Sequence, residues 1–177
     1  FFPEGGALLT VAHQNIAFKA QGSDGFSTEI EGFLFDANGD TLTAFRSEHD
    51  GMGVFTLNPT VGNSYYVIAK SGDGISKRFD LPAVEEKGIT LSMTHYKKEI
   101  RYEIQKTEAT EWPQKLFLIA HTRGKLVILQ PVSIDRTFGR MNDSLFNAGI
   151  THFMLIDQQG NALSECLVFI PDRNPHQ

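Results

Sequence analysis

The stretch from Glu29 to Lys70, EIEGFLFDANGDTLTAFRSEHDGMGVFTLNPTVGNSYYVIAK, constrains the fold more than any other part of the chain. It divides into four short segments rich in Phe, Ile, Leu, Val and Tyr, each closed by Gly, Asn, Asp or Pro. Strand-forming runs punctuated by turn chemistry every ~8–12 residues are the pattern of an antiparallel β-sandwich. Asp36-Ala37-Asn38-Gly39-Asp40 is expected as a hairpin turn in which Asn-Gly supplies positive φ angles. His49-Asp50-Gly51-Met52-Gly53 and Asn58–Asn63 are expected as the next two turns.

The flanks continue the pattern. Pro3-Glu4-Gly5-Gly6 reads as a turn followed by the apolar run Ala7–Ala12. His13-Gln14-Asn15 interrupts, and Ile16-Ala17-Phe18-Lys19-Ala20 alternates as a half-buried strand does. After Gln21–Gly25, the central stretch and Ser71-Gly72-Asp73-Gly74, the segment Lys77–Leu81 completes about seven strands, an Ig-like sandwich. Pro82–Gly88, polar with a Pro and a Gly near its ends, is the expected domain boundary. It divides the chain into a first sandwich over 1–86 and a second over 87–177. Strands are expected there at Ile89–Tyr96, Ile100–Gln105, Lys115–His121, Lys125–Gln130 and Val132–Phe138. Arg123-Gly124 closes a tight hairpin, Thr110–Gln114 is a loop, and Met141–Ala148 holds a helical turn N-capped by Asn142 or Asp143. Ile150–Asp157 and Ala162–Ile170 form a last hairpin. Its turn, Asp157-Gln158-Gln159-Gly160-Asn161, echoes Asp36–Asp40, which points either to a divergent duplication or to convergence on one turn type.

Composition decides what such a fold can be used for. Apolar residues make up 41% of the 177 and charged residues 21%, a globular balance. Fourteen Phe supply core, at about 1.5–3 kcal/mol for each ring fully buried. Cys166 is the single cysteine, so no intrachain disulfide forms and the compartment is left open. A net charge of −5 argues against a nucleic-acid partner; Lys97, Lys98 and Arg101 are the densest basic cluster. No apolar run approaches the ~20 residues of a membrane-spanning helix. The opening Phe1-Phe2-Pro3-Glu4-Gly5-Gly6 reads as a strand entry, so the chain is expected to be a segment of a longer protein.

No constellation of catalytic residues is visible. Asp36, Asn38 and Asp40 have the spacing that begins a calcium loop, but Thr41 and Ser47 occupy the positions that require Gly and Glu. The His residues at 13, 49, 95, 121, 152 and 176 lack zinc-ligand spacing. His49-Asp50 reads as a solvated turn, and His121 and His152 as residues satisfied within a sheet. No G-x-S-x-G elbow and no phosphate-binding glycine loop exists. Cys166 lies in a strand-like run, which suits a structural thiol rather than a nucleophile. Glu29/Glu31 and Glu85/Glu86 are carboxylate pairs of the solvent face. The expected catalytic, metal and cofactor sites are therefore none. Trp112, Tyr65, Tyr66, Tyr96 and Tyr102 are the candidates for an alternative, a carbohydrate-binding platform with Trp112 at its centre.

Two groups of residues carry a family resemblance. Phe1–Gly6 with Ile16–Ala20, Gly32, Asp36, Gly39, His49–Gly53 and Phe55 resembles a module of large Bacteroidetes envelope proteins. Asn147–His152 with Leu155, Asp157, Gly160, Leu163–Glu165 and Leu167–Phe169 is similar to the closing hairpin of the next module in those proteins; Cys166 stands where that pattern has Arg. Such proteins look like bacterial relatives of α2-macroglobulin, strings of macroglobulin-like sandwiches, some fused to a TonB-plug-like domain. Val54–Lys70 also resembles a carboxypeptidase-regulatory or transthyretin-like sandwich. The resemblance implies a parent protein in the periplasm or at the outer membrane, and non-catalytic modules that space its domains and offer surfaces to other proteins. The thioester run Gly-Cys-Gly-Glu-Gln of true macroglobulins does not occur here. The runner-up is a carbohydrate-binding accessory module of a secreted enzyme; a stand-alone hydrolase has no visible nucleophile–base pair.

Overall fold

The computed structural model describes residues 1–172. It is all-β, built of antiparallel sandwiches, with two compact units, Phe1–Glu86 and Lys87–Gln177.

The first unit contains β1 (Phe2–Pro3), β2 (Leu8–Leu9), β3 (Gln14–Lys19), β4 (Ile30–Asp36), β5 (Thr41–Arg46), β6 (Met52–Leu57), β7 (Tyr65–Ser71), β8 (Ser76–Asp80) and β9 (Val84–Glu85). One sheet has the order β1-β3-β6, the other β5-β4-β7-β8, and β2 pairs in parallel with β9. Alternation chooses the inner face: Gln14, Ile16 and Phe18 of β3 are buried while Asn15, Ala17 and Lys19 are exposed. Phe18, Phe45 and Phe55 form the centre, with ring centroids 5.2 Å apart for Phe18–Phe45 and for Phe45–Phe55.

Two strand glycines make room for those rings. Phe45 stands opposite Gly32 and Phe18 opposite Gly53 in the ladders. A Cβ on Gly53 would come within 2.5 Å of the Phe18 ring, and one on Gly32 within 2.8 Å of the Phe45 ring and 2.3 Å of a backbone oxygen. Each ring therefore lies over bare backbone, filling space that a strand glycine leaves.

Gln14, expected to interrupt, is instead a buried member of β3. Its side chain replaces a ladder for the irregular segment before it. Gln14 Oε1 accepts from the Leu9 N–H at 3.0 Å, and Nε2 donates to the carbonyls of Glu4 and Ala7, both at 2.6 Å. The apolar run Ala7–Ala12 consequently yields only the two-residue β2. Val84 and Glu85, inside the expected boundary segment, are the parallel partners of Leu8 and Leu9, so that stretch is tied down and not a free linker.

The second unit contains β10 (Ile89–Tyr96), β11 (Glu99–Lys106), β12 (Leu116–Thr122), β13 (Lys125–Val132), β14 (Phe138–Asn142), a 3-10 turn (Asp143–Leu145), β15 (Gly149–Asp157) and β16 (Ala162–Ile170). Its sheets are β10-β11-β14 and β13-β12-β15-β16. Leu91, Ile100 and Ile104 of the first meet Leu118, Phe153, Leu155 and Val168 of the second in one core. Ser164 Oγ accepts from the Leu91 N–H at 2.9 Å and joins the sheets at a corner.

Two expectations need correction here. Val132–Phe138 is not a strand: β13 runs on through Pro131 to Val132, and the chain then turns. Ser133 makes that turn by accepting the Arg136 N–H on its carbonyl and the Asp135 N–H on its hydroxyl. The expected helical turn is the 3-10 turn, and Asn142 is its N-cap, with Oδ1 accepting from the Ser144 N–H at 2.8 Å.

The turns expected to need two positive φ angles at Asn38-Gly39 need one. Gly39 has φ 88°, Asn38 is not in the left-handed region, and the register shifts between Leu34 and Phe35, as in a type I turn with a glycine bulge. Asp36 Oδ1 accepts from the N–H groups of Asn38 and Asp40, both at 2.9 Å. Asp157 repeats this on Gln159 and Asn161, again at 2.9 Å, with Gly160 at φ 85°. The same backbone closure recurs at Ser71–Ile75 and Gly22–Phe26, where the Asp signature is missing, so the echo is a property of the turn. Arg123-Gly124 does close its hairpin, both residues having positive φ.

Replacing Gln14 by Leu keeps the volume and strands one N–H and two carbonyls; we expect a loss of about 2–3 kcal/mol in urea unfolding. A loss under about 0.5 kcal/mol would show that water satisfies the segment. The Asp157 turn gives a pH signature. The Asn161 side-chain amide, and behind it the backbone N–H groups of Asn161 and Gln159, hold the Asp157 carboxyl below its ordinary 3.8, outweighing slight desolvation. A depressed folded value means a contribution fully present above 3.8 and lost as pH falls through the lowered value. Asp157→Asn should therefore lie closer in stability to the parent protein at about pH 2.5 than at about pH 6. Parallel stability curves across that range would refute it.

Candidate interaction surface

The outward face of the sheet β13-β12-β15-β16 is apolar where a solvated sandwich face is ordinarily polar. On β16, Val168 and Ile170 point into the core, which turns Leu167 and Phe169 outward, each 65% exposed. On β13, Leu126 and Leu129 stand opposite His121 and Ile119 and are 56% and 60% exposed. Ile150, 59% exposed, faces Phe169 across the β15–β16 ladder. Phe117, Met154 and Ile156 lie half-buried on the same face. Continuous apolar character along Leu167–Ile170 and Leu126–Leu129 is the sequence mark of strands with two dry faces; the sequence analysis placed these strands without drawing that consequence.

A polar chain runs through the middle of the face. His121 and His152 stand directly opposite in the β12–β15 ladder, although 31 residues apart in sequence. His121 Nε2 lies 3.1 Å from His152 Nδ1, and His152 Nε2 lies 2.9 Å from Glu165 Oε2. An ionised Glu165 can only accept, so His152 donates from Nε2; with both rings neutral, His121 Nε2 then donates to His152 Nδ1. His121 Nδ1 remains a bare acceptor, buried with no hydrogen-bond partner. Spacing along the chain gives no hint of this pairing, because it depends on the register of two non-consecutive strands.

The chain carries no nucleophile. Cys166 stands opposite the buried Phe153, so its thiol is on the core side of the sheet and the imidazoles are on the other. Ser164, two residues earlier, shares the core side and bonds Leu91. Among the described residues, no group of three or more His, Cys, Asp or Glu is arranged to hold a metal ion.

The other candidates are dispersed, and most have structural work. His49 and Asp50 sit 3.1 Å apart in an exposed two-residue turn. Gly51 behind them is buried, its N–H donating to Glu29 Oε1 at 3.1 Å and its carbonyl accepting from Ala20 N–H at 2.8 Å. Its φ is 70°, and a Cβ there would approach the Ala20 and Thr28 carbonyls to 2.6 and 2.7 Å. The motif His49–Gly53 thus marks a turn and the Phe18 seat. Glu31 faces solvent between Arg46 and Lys70, and Glu85 and Glu86 are exposed. Asp36, Asn38 and Asp40 spend their polar groups on their own turn, while Thr41 begins β5 and Ser47 Oγ accepts from Ile30 N–H. Lys97 and Lys98 form a turn, and Arg101 is paired with Glu99 at 3.0 Å. His13 is exposed, His95 pairs with the largely buried Asp143 at 3.2 Å, and His176 lies outside the described residues.

The aromatic candidates form no common platform. Tyr65 is buried, its hydroxyl accepting from Thr60 N–H. Tyr66 is sandwiched between Phe35, stacked at 5.1 Å, and the Arg78 guanidinium, 3.7 Å from the ring. Trp112 and Tyr102 pack against the core of the second unit. Tyr96 is exposed at the end of β10 beside Lys97.

No family model and no curated protein matches the chain. Solved structures match at low identity. The BSP domain of a biofilm-associated protein is 14% identical with a TM-score of 0.38, over 97% of this chain and 29% of that one. The chain thus spans less than a third of that protein chain's length. Domains 3 and 4 of rat CD4 are 10% identical with a TM-score of 0.36, over 92% and 96% of the two chains. A fragment of Escherichia coli α2-macroglobulin spanning domains MG0-NIE-MG1 is 9% identical with a TM-score of 0.32, over 96% and 64%.

The bare His121 acceptor makes a double substitution informative. His121→Val and His152→Val singly should each cost about 0.5–1.5 kcal/mol, and the pair together less than the sum, since an apolar pair strands no buried polar atom. Strict additivity in chemical unfolding would show that the two rings are uncoupled.

Proposed function

We propose that the chain is a non-catalytic structural and interaction module of a larger periplasmic or cell-surface protein. It spaces the parent's domains and offers protein-binding surfaces to them and to other envelope proteins. The observation that carries this reading is the apolar outward face of β13-β12-β15-β16. Large exposed apolar sheet faces are uncommon on solvated sandwiches and mark contact surfaces. The polar chain His121–His152–Glu165 across its middle gives the face directional groups, the usual source of specificity within an apolar contact. The resemblance to macroglobulin-like modules of Bacteroidetes envelope proteins supports the outer-membrane setting. No helix among the described residues is long and apolar enough to cross a membrane, so any attachment by helix belongs elsewhere in the parent. No observation favours the carbohydrate-binding alternative, whose five aromatic candidates are covered, buried or scattered.

A photo-crosslinking amino acid at Leu167 in the parent protein, expressed in its native source, tests the proposal. Discrete adducts are expected from Leu167 and none from Thr56, an exposed position on β6. Leu167→Lys with Phe169→Lys should remove the adducts formed from a probe at Leu129 while leaving the unfolding temperature within about 3 °C. Equal labelling from Leu167 and Thr56 would refute the reading.

A further inference from the structure

An incomplete ladder at one edge of the first unit points to a second contact. β1 is two residues long and pairs only with Ile16 and Ala17, whereas β3 continues to Lys19. Peptide groups of odd-numbered β3 residues turn toward β1: Asn15 C=O accepts from Glu4 N–H at 2.8 Å. Even-numbered positions turn toward the β6 side, where Ala20 N–H meets Gly51 C=O. Lys19 therefore directs its N–H and C=O along the β1 edge, beyond the last ladder pair, Phe2–Ala17.

Beside that unfilled position the space between the sheets is open. A cleft of about 790 Å³ is lined by Phe1, Phe18, Phe26, Ile30, Ile75 and Phe79, among others. Phe26 and Ile75 at its rim are 74% and 64% exposed. Phe1 stands at the mouth, its ring 5.9 Å from Phe18 and 6.1 Å from Phe79. Burial there pulls the Phe1 α-amino group below its ordinary 8.0. A charged terminus is poorly placed against that apolar lining, and a peptide bond in its place carries no such penalty.

We infer that the polypeptide leading into Phe1 in the parent protein docks as a continuation of β1, antiparallel to β3 and over this cleft. The inference rests on the reading of the chain as a module of a longer protein. It adds that the connection entering the module is a bound strand and not a flexible tether. The ladder fixes the register. Phe2 faces outward with Ala17, and Phe1 faces inward with Phe18. The residue before Phe1 accordingly stands opposite Lys19 and faces outward. The residue before that one points into the cleft and is apolar, filling the space between Phe18 and Phe79. Ladder hydrogen bonds to Lys19 supply direction, and the cleft supplies the buried area.

The test compares this chain with one prolonged upstream of Phe1 by the residues its native reading frame encodes there. Amide exchange at Lys19 should slow by at least about tenfold in the prolonged chain, with a higher unfolding temperature. Asp at the second position before Phe1 should cancel both effects, and Ala at the first should cancel neither. Unchanged exchange at Lys19 would overturn the inference, as would protection that survives the Asp substitution or a reading frame that begins at Phe1. The contact face of the second unit is read independently by the Leu167 probe. Failure at Lys19 with adducts at Leu167 therefore removes the strand and keeps the interaction module.

Discussion

Aromatic rings seated on strand glycines set the geometry of the first sandwich. Phe18 over Gly53 and Phe45 over Gly32 let bulky side chains lie flat against opposing backbone. A glycine in a strand normally weakens it, through chain entropy and missing side-chain contacts. Here the ring restores the contacts, and the sheets close at a spacing that also receives Phe55 and Phe1. The remaining features of the unit follow from that spacing, including the short β1 and the cleft at its end.

The second sandwich solves the same problem with aliphatic residues. Its inner layers are Leu, Ile and Val around Phe153 and Phe146, whose rings meet edge-on at 5.3 Å. A pair of buried threonines, Thr122 and Thr151, bonds hydroxyl to hydroxyl at 2.8 Å in the β12–β15 ladder. One register further along that ladder the histidines meet on the opposite face. A slip of one residue would exchange the two pairs, burying imidazoles and exposing Phe153. The polar pairs thereby hold the register that keeps the apolar outward face intact.

Strands and turns were legible in the sequence because both obey local rules. Period-two alternation located β3, β4 and β7, and glycine-bearing turns located the hairpins. Gln14 was misread because a buried glutamine looks polar in sequence and is apolar in effect once its three hydrogen bonds are made. Val132–Phe138 was misread because its composition suits a strand while Ser133 offers the backbone a local turn. The outward face was half legible: Leu167–Phe169 announces an apolar strand, but which residues lie beside it depends on ladder partners distant in sequence. His121–His152–Glu165 was illegible for the same reason, being assembled from three strands.

The residues behind the family resemblance prove to be architectural. Gly51 is the clearest case, because the turn that carries it looks from sequence like a loop tip open to drift. Its buried backbone is gripped by Glu29 and Ala20, with two carbonyls standing where a side chain would go. The Asp157–Asn161 turn, by contrast, bonds only to itself at an exposed tip. An engineer who needs to insert a tag or a reporter should open the chain at Gln158-Gln159. Two hairpins of similar appearance thus differ in evolutionary freedom: one can accept new sequence, and the other can accept almost none.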